Sequence, residues 1–231
     1  MKPIESRAAR GHTSRRKILP ALWLLFVALA LPVLGPMPCA ATQTGEEGIA
    51  LVRSTVAQLQ DALRAQDPAT HRDPEVVGPI VEQVVVPQVD IPYSGRLILG
   101  KHWRDANDTQ RQAFTDAYRK MLIRTYSVHA SDYMDANVEV LSWAPLGTDE
   151  GRITVRTRVT RDNGKPPATV DYRLTDSNGQ WRVFDAVVNG VSLVSTLRTA
   201  VDAEISRMGL PALIEQLQSG KASPPPDVTK G

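Results

Sequence analysis

The sequence predicts an α+β domain in which a helical layer packs on a twisted four-stranded antiparallel sheet around an internal apolar cavity. Apolar residues recur at steps of three and four between Ile49 and Tyr126, and from Val138 the period changes to two. Turn signals at Arg161-Asp162-Asn163-Gly164-Lys165 and Ser177-Asn178-Gly179 each separate two of the period-two runs. Helical spacing then resumes after Asn189-Gly190. Helices, sheet and helices in that order make an α+β fold, and a twisted sheet over helices leaves a wedge where ligand pockets form.

Ile49, Val52, Val56, Leu59 and Leu63 lie on one stripe of a first helix, which Asp67-Pro68 ends. Asp73-Pro74-Glu75 supplies an N-cap, a proline at the first helical position and an early acid. The second helix that follows turns Val77, Ile80, Val81 and Val84 inward and stops at Pro87. A third short helix is expected to carry Tyr93, Leu97, Gly100 and Trp103 toward the interior. Asn107 with Gln110 forms a capping box for the longest helix, whose inner side holds Phe114, Ala117, Tyr118, Met121, Leu122, Thr125 and Tyr126.

Four strands follow. They begin at Val138/Val140, alternate through Ile153, Val155, Thr157 and Val159 and then Val170, Tyr172 and Leu174, and end with a run from Gln180 to about Val188. Ser192 reads as the N-cap of a helix with Val194, Leu197, Val201, Ile205 and Met208 inside; Gly209 stops it and Pro211 opens a last short helix through Leu217.

Residues 1–17 hold Lys2, Arg7, Arg10, Arg15, Arg16 and Lys17 against Glu5, and a mostly apolar run follows from Ile18 to Leu34. The run carries Pro20 and Pro32, falls short of the roughly 18–20 residues of a spanning helix, and leads into small residues. Residues 1–41 therefore read as a cleaved export signal, with Cys39 and Ala41 at the −3 and −1 positions and a mature start near Thr42. Ser14-Arg15-Arg16-Lys17-Ile18-Leu19 also resembles a twin-arginine signal. Cys39 leaves with the leader, so the mature fold must hold in an oxidising compartment without a disulfide. The whole chain carries 27 basic and 25 acidic residues, whereas beyond residue 41 there are 21 and 24, a net −3 that does not suit general nucleic-acid binding. Residues 42–220 form one domain, and the proline-rich tail 221–231 is expected to be disordered.

Chemical signatures are sparse. His71, His102 and His129 share no metal-ligand spacing, and Gly190-Val191-Ser192-Leu193-Val194 lacks the final glycine of a nucleophile elbow. Asp185 is the candidate general base of an alternative enzyme reading, since simple alternation puts it on the side of Val183 and Val187.

Leu99-Gly100-Lys101-His102-Trp103-Arg104, Gln110-Arg111-Gln112-Ala113-Phe114, Leu122-Ile123-Arg124-Thr125-Tyr126, Trp181-Arg182-Val183-Phe184-Asp185 and Gly190-Val191-Ser192-Leu193 together resemble the MlaC, or toluene-tolerance, family over roughly residues 45–218. Where the family usually has an aromatic-Asp-aromatic run this chain has Val89-Asp90-Ile91, and where it often has an aromatic after the Ser192 position this chain has Val201.

The resemblance implies a periplasmic carrier, not an enzyme, with an NTF2-like outline and no cofactor. It would move one phospholipid, or in related carriers a hopanoid or other isoprenoid lipid, between an inner-membrane ABC transporter complex and an outer-membrane lipoprotein complex. On that reading the cavity wall comprises Val140, Val155, Val159, Val170, Tyr172, Val183 and Val187 of the sheet and Leu97, Phe114, Tyr118 and Leu122 of the helices. Lys101, Arg104 and Arg124 are the candidate headgroup contacts.

Overall fold

The computed structural model describes residues 45–148, 151–161, 164 and 166–221. The export segment 1–41 with its cleavage site, most of the tail, and parts of the turn at 161–165 lie outside the described residues. Helix α1 (Gly45–Arg64) is followed by α2 (Pro74–Val84), a 3-10 turn at Val86–Gln88, α3 (Ile91–Leu99), α4 (His102–Asp105) and α5 (Asp108–Ala130). Strands β1 (Asn137–Pro145), β2 (Arg152–Thr160), β3 (Ala168–Asp176) and β4 (Trp181–Val188) come next, then a two-residue β5 (Val191–Ser192), α6 (Leu193–Met208) and α7 (Leu210–Ser219).

The caps form where short-range chemistry requires them. Asp73 accepts from the Glu75 amide, and Asn107 and Gln110 close a reciprocal capping box at the start of α5. The Ser192 hydroxyl accepts from the Ser195 amide. The expected third helix is two helices, because Gly100 takes φ +54° and ends α3 before Trp103.

The sheet has five antiparallel strands in the order β1-β2-β3-β4-β5, one more than expected. Asn189 and Gly190 both have positive φ, as do Asn178 and Gly179 between β3 and β4. Each Asn-Gly pair therefore makes the twisted hairpin turn that this dipeptide favours. At 189–190 the chain does not merely leave the sheet; it doubles back, pairing Val188 with Val191 and Val187 with Ser192. The register slips twice, at Leu141 in β1 and at Phe184 in β4, where one extra residue bulges from the ladder.

Three apolar clusters hold the layers. The largest joins α3, α5, α6 and α7 through Ile98, Leu99, Phe114, Ala117, Leu197 and Leu213. A second seats α1 on the sheet through Ile49, Val52, Ile153, Val155, Leu174 and Trp181. A third packs Leu63 of α1 with Val77 and Val81 of α2 and Ala130 of α5. Helix α5 touches α2, α3 and α7, the central position its length predicts.

Helix α1 comes close to the sheet because its first turns present glycine. A Cβ on Gly48 would stand 2.4 Å from the Ile153 Cδ1 atom, with Leu174 and Val155 methyl groups just beyond. Replacing an ordinary helical glycine by alanine gains up to about 1 kcal/mol. Gly48→Ala is instead expected to lower stability by about 1–3 kcal/mol through overpacking, as urea denaturation of the two proteins would measure.

Candidate functional site

Directly paired residues on neighbouring strands project from the same face of a sheet, so the register assigns each strand residue to a side. Val155 opposes Tyr172, Thr157 opposes Val140 and Val170, Val159 opposes Val138, and Leu174 opposes both Ile153 and Val183. These residues form the inner face, and α1 covers the part around Ile153 and Val155. Six of the seven sheet residues expected to point inward therefore share it.

Val187 does not. The bulge at Phe184 shifts the alternation, so that Asp185 opposes Arg173 and Val187 opposes Asp171, both on the outer face. Simple alternation fails here because the extra residue reverses the parity of everything after it. Phe184 itself meets the Tyr93 ring edge-on, with centroids 5.2 Å apart.

The helical candidates group separately. Leu97, Phe114, Tyr118 and Leu122 belong to the α3–α5–α6–α7 cluster, whereas Val140, Val155, Tyr172 and Val183 belong to the α1–sheet cluster. Two apolar surfaces are thus present, one on each layer. Within them Phe114 and Val155 are sealed and Val159 and Tyr118 are buried, while Leu97, Leu122, Val140, Val170, Tyr172 and Val183 are only half-buried.

Asp185 is fully engaged in holding the fold together. Its carboxylate accepts from Arg173 at 3.0 Å, from the Ser192 hydroxyl at 2.7 Å and from the Val194 amide at 3.0 Å. The three donors anchor β4 to the first turn of α6, where a negative charge also suits the helix dipole. Asp185 therefore does structural duty, and the sheet face on which it lies is the one opposite Val183.

Two tyrosines carry hydroxyls into this low-polarity interior. Burial pushes the Tyr118 hydroxyl up to about 12, against a smaller lowering by its hydrogen bond with Ser94 and with a further rise from the charge of Asp185. Burial likewise pushes Tyr172 up to about 12, helped by Tyr133. Thr157, on the inner face with no exposure, satisfies its hydroxyl by donating to the Val170 carbonyl at 2.8 Å.

The candidate headgroup cations are dispersed. Arg124 donates to the Leu217 carbonyl at 2.9 Å and closes the end of α7. Lys101 pairs with Asp202 at 2.8 Å, beside His102 at 2.6 Å from the same oxygen, and the hydrogen bonds from Lys101 and His102 hold the Asp202 carboxyl below its usual range. Arg104 lies exposed on α4. The first two serve as helix ties, a role set by partners about a hundred residues away that no local pattern indicates.

An open cleft of about 670 Å³ that the sequence did not point to lies where α1, the Val86–Gln88 turn and the start of β4 meet. Leu51 and Trp181 line it with Glu47, Gln88, Gln180 and Arg182. Arg182 stands in the Trp181–Asp185 motif, but its partner Pro87 is 95 residues away, so the cleft has no short-range signature. A smaller depression of about 210 Å³ between α1 and β1 is lined by Val52, Val56, Val138 and Val140 among others. Among the described residues no three His, Cys, Asp or Glu side chains are grouped to hold a metal ion, and no helix is long and apolar enough to cross a membrane.

Fold and surfaces together define an α+β domain whose sheet and helical layer each carry an aliphatic inner surface. The MlaC protein family model matches residues 53–219, and the chain belongs to that family. It is 24% identical over 177 residues to the intermembrane phospholipid transport system binding protein MlaC of Haemophilus influenzae, covering 75% of this chain and 82% of that protein. It is 26% identical over 188 residues to the toluene tolerance protein ttg2D of Pseudomonas putida, covering 80% and 82%. Among solved structures, the phospholipid-binding protein from Ralstonia solanacearum in complex with a phospholipid has a TM-score of 0.65 and 25% identity, over 74% of this chain and 94% of that one.

Asp185→Ala leaves Arg173 unpaired and the Val194 amide without its acceptor, and is expected to cost about 2–4 kcal/mol in urea denaturation. With Tyr118 and Tyr172 raised on folding, the native state holds more protons than the unfolded state between about pH 10 and 12, so stability falls as pH rises through that window. Ultraviolet titration is expected to show Tyr118 and Tyr172 ionising only near pH 12.

Proposed function

We propose that this protein is a periplasmic phospholipid carrier that takes up one lipid and passes it between an inner-membrane ABC-type transporter complex and an outer-membrane lipoprotein complex. Membership of the MlaC family over residues 53–219, with the likeness to a phospholipid-bound structure, is the observation that carries the reading. The acyl chains lie between the sheet's inner face and the helical layer in an NTF2-like outline, with the half-buried Val140, Val170, Tyr172, Val183, Leu97 and Leu122 as the wall. The sealed Phe114 and Val155 and the buried Tyr118 and Val159 complete the same two surfaces. Val187 drops out of the set, being on the outer face.

The energetics explain why a protein is needed. Each methylene exposed to water costs ~0.8 kcal/mol, so a two-chain lipid leaving a bilayer unaided faces a barrier on the order of 20 kcal/mol. An aliphatic pocket is nearly isoenergetic with the bilayer interior and removes the aqueous intermediate. No covalent step is required, and the occupied carboxylate of Asp185 speaks against the enzyme alternative.

Lipid extraction from the purified protein followed by mass spectrometry is expected to recover phospholipid. Val170→Glu, which puts a charge on a half-buried position of the inner face, is expected to lower lipid occupancy several-fold at an unchanged circular dichroism spectrum. Arg158→Gln, on the exposed outer face, is expected to leave occupancy as it is. Equal occupancy in both variants would remove Val170 from the wall.

A further inference from the structure

We propose that Tyr172 sets the linkage specificity of the carrier, its hydroxyl donating a hydrogen bond to an acyl-ester carbonyl of the bound lipid. The inference rests on the carrier reading and names the lipid chemistry that it selects. Strand β3 lies within the sheet, between β2 and β4, so the exposure that the half-buried Tyr172 keeps is on the side facing the helical layer. Val155 and Ala186 oppose it on the neighbouring strands, and Val170 and Leu174 flank it on the same face of its own strand. All four neighbours are aliphatic, and Ala186 offers the ring no more than a methyl group on the β4 side.

The hydroxyl is deep, yet the fold does not use it. Burial pushes it up to about 12, with a smaller rise from Tyr133, so it carries its proton at any physiological pH. Among the described residues none hydrogen-bonds to it, and its oxygen is not sealed off by protein atoms. The neighbouring interior hydroxyls differ, because Thr157 donates to the Val170 carbonyl and Tyr118 is bonded to Ser94. A hydroxyl withdrawn from water without a partner costs free energy, which an acceptor on the ligand offsets. An acyl chain carries oxygen only at its ester end, so a lone donor in an aliphatic wall meets its acceptor where the chain joins the glycerol. A dialkyl ether lipid offers a poorer acceptor there, and an isoprenoid hydrocarbon offers none.

The test offers the exported protein, stripped of lipid, an equimolar mixture of a diacyl phospholipid and its dialkyl ether analogue of the same headgroup and chain length. The bound fraction is read by mass spectrometry. Wild type is expected to favour the diester about fivefold, and Tyr172→Phe to bind the two alike. With carbon-13 at the ester carbonyls, the infrared ester stretch is expected at lower frequency in wild type than in Tyr172→Phe. A tyrosine that only packs would, when changed to Phe, lower both lipids together and leave the ratio and the stretch unmoved.

Wild type that binds the two lipids alike overturns the assignment while the carrier reading stands, as does a Tyr172→Phe protein that keeps the wild-type preference. Protein that takes up neither lipid removes the carrier reading itself. If Tyr172→Phe weakens the binding of oleate but leaves the diester preference unchanged, the hydroxyl serves a free fatty acid and the proposal falls.

Discussion

The buried carboxylate of Asp185 is the joint on which the two layers depend. Strand β4 is the last full-length strand and α6 opens the final helical segment, so the sheet and the α3–α5–α6–α7 cluster must be joined where these elements meet. Arg173, the Ser192 hydroxyl and the Val194 amide converge on the one side chain, which ties three strands and a helix end together. A buried charge is tolerated only when its hydrogen-bonding capacity is met, and three donors, one of them cationic, meet it here. The bulge at Phe184 makes this possible by turning Asp185 to the outer face, toward Arg173, while Val183 stays on the inner one.

That arrangement keeps the interior apolar. Polar groups that do enter it are neutral hydroxyls with local partners: Thr157 on a strand carbonyl, and Ser94 on the Asp90 and Ile91 carbonyls of its own helix. Tyr118 and Tyr172 stay protonated far into alkali for the same reason, because a phenolate would be stranded in low dielectric. Cations sit elsewhere, at helix ends and on the outer sheet face, where Arg158 meets Glu139. Asp185 aside, the buried polar side chains among the described residues are the hydroxyls of Ser94, Ser127, Ser131 and Thr157, so apolar burial carries most of a fold that has no cysteine beyond Cys39.

What could be read from the residues was what short-range chemistry decides. The caps at Asp73, Asn107 and Ser192 each rest on a side chain and an amide two or three residues apart, and all three formed. The inner face of β2 was equally legible, because Ile153, Val155, Thr157 and Val159 alternate without interruption. Beyond that reach the reading failed in identifiable ways. The bulge at Phe184 sits in the apolar run Val183-Phe184, which gives no sign of which residue is extra, so Val187 and Asp185 were put on the wrong side. The fifth strand carried the same Asn-Gly signal used at 178–179, but two residues of strand show no periodicity of their own. Lys101 and Arg124 were claimed by Asp202 and the Leu217 carbonyl, partners fixed only by how the helices pack. The cleft around Arg182 joins three segments distant in the chain and was invisible for that reason.

The bulge at Leu141 has a consequence for how concentrated the protein can become. β1 is the margin of the sheet, and Leu141 and Trp143 on it are 44% and 38% exposed. A straight apolar margin of this kind would invite a second molecule to zip on through its backbone and seed a fibre. The kink interrupts the regular row of amides and carbonyls, and Pro145 at its end lacks an N–H to offer. The protein's own sheet is thus kept from becoming the template for its precipitation.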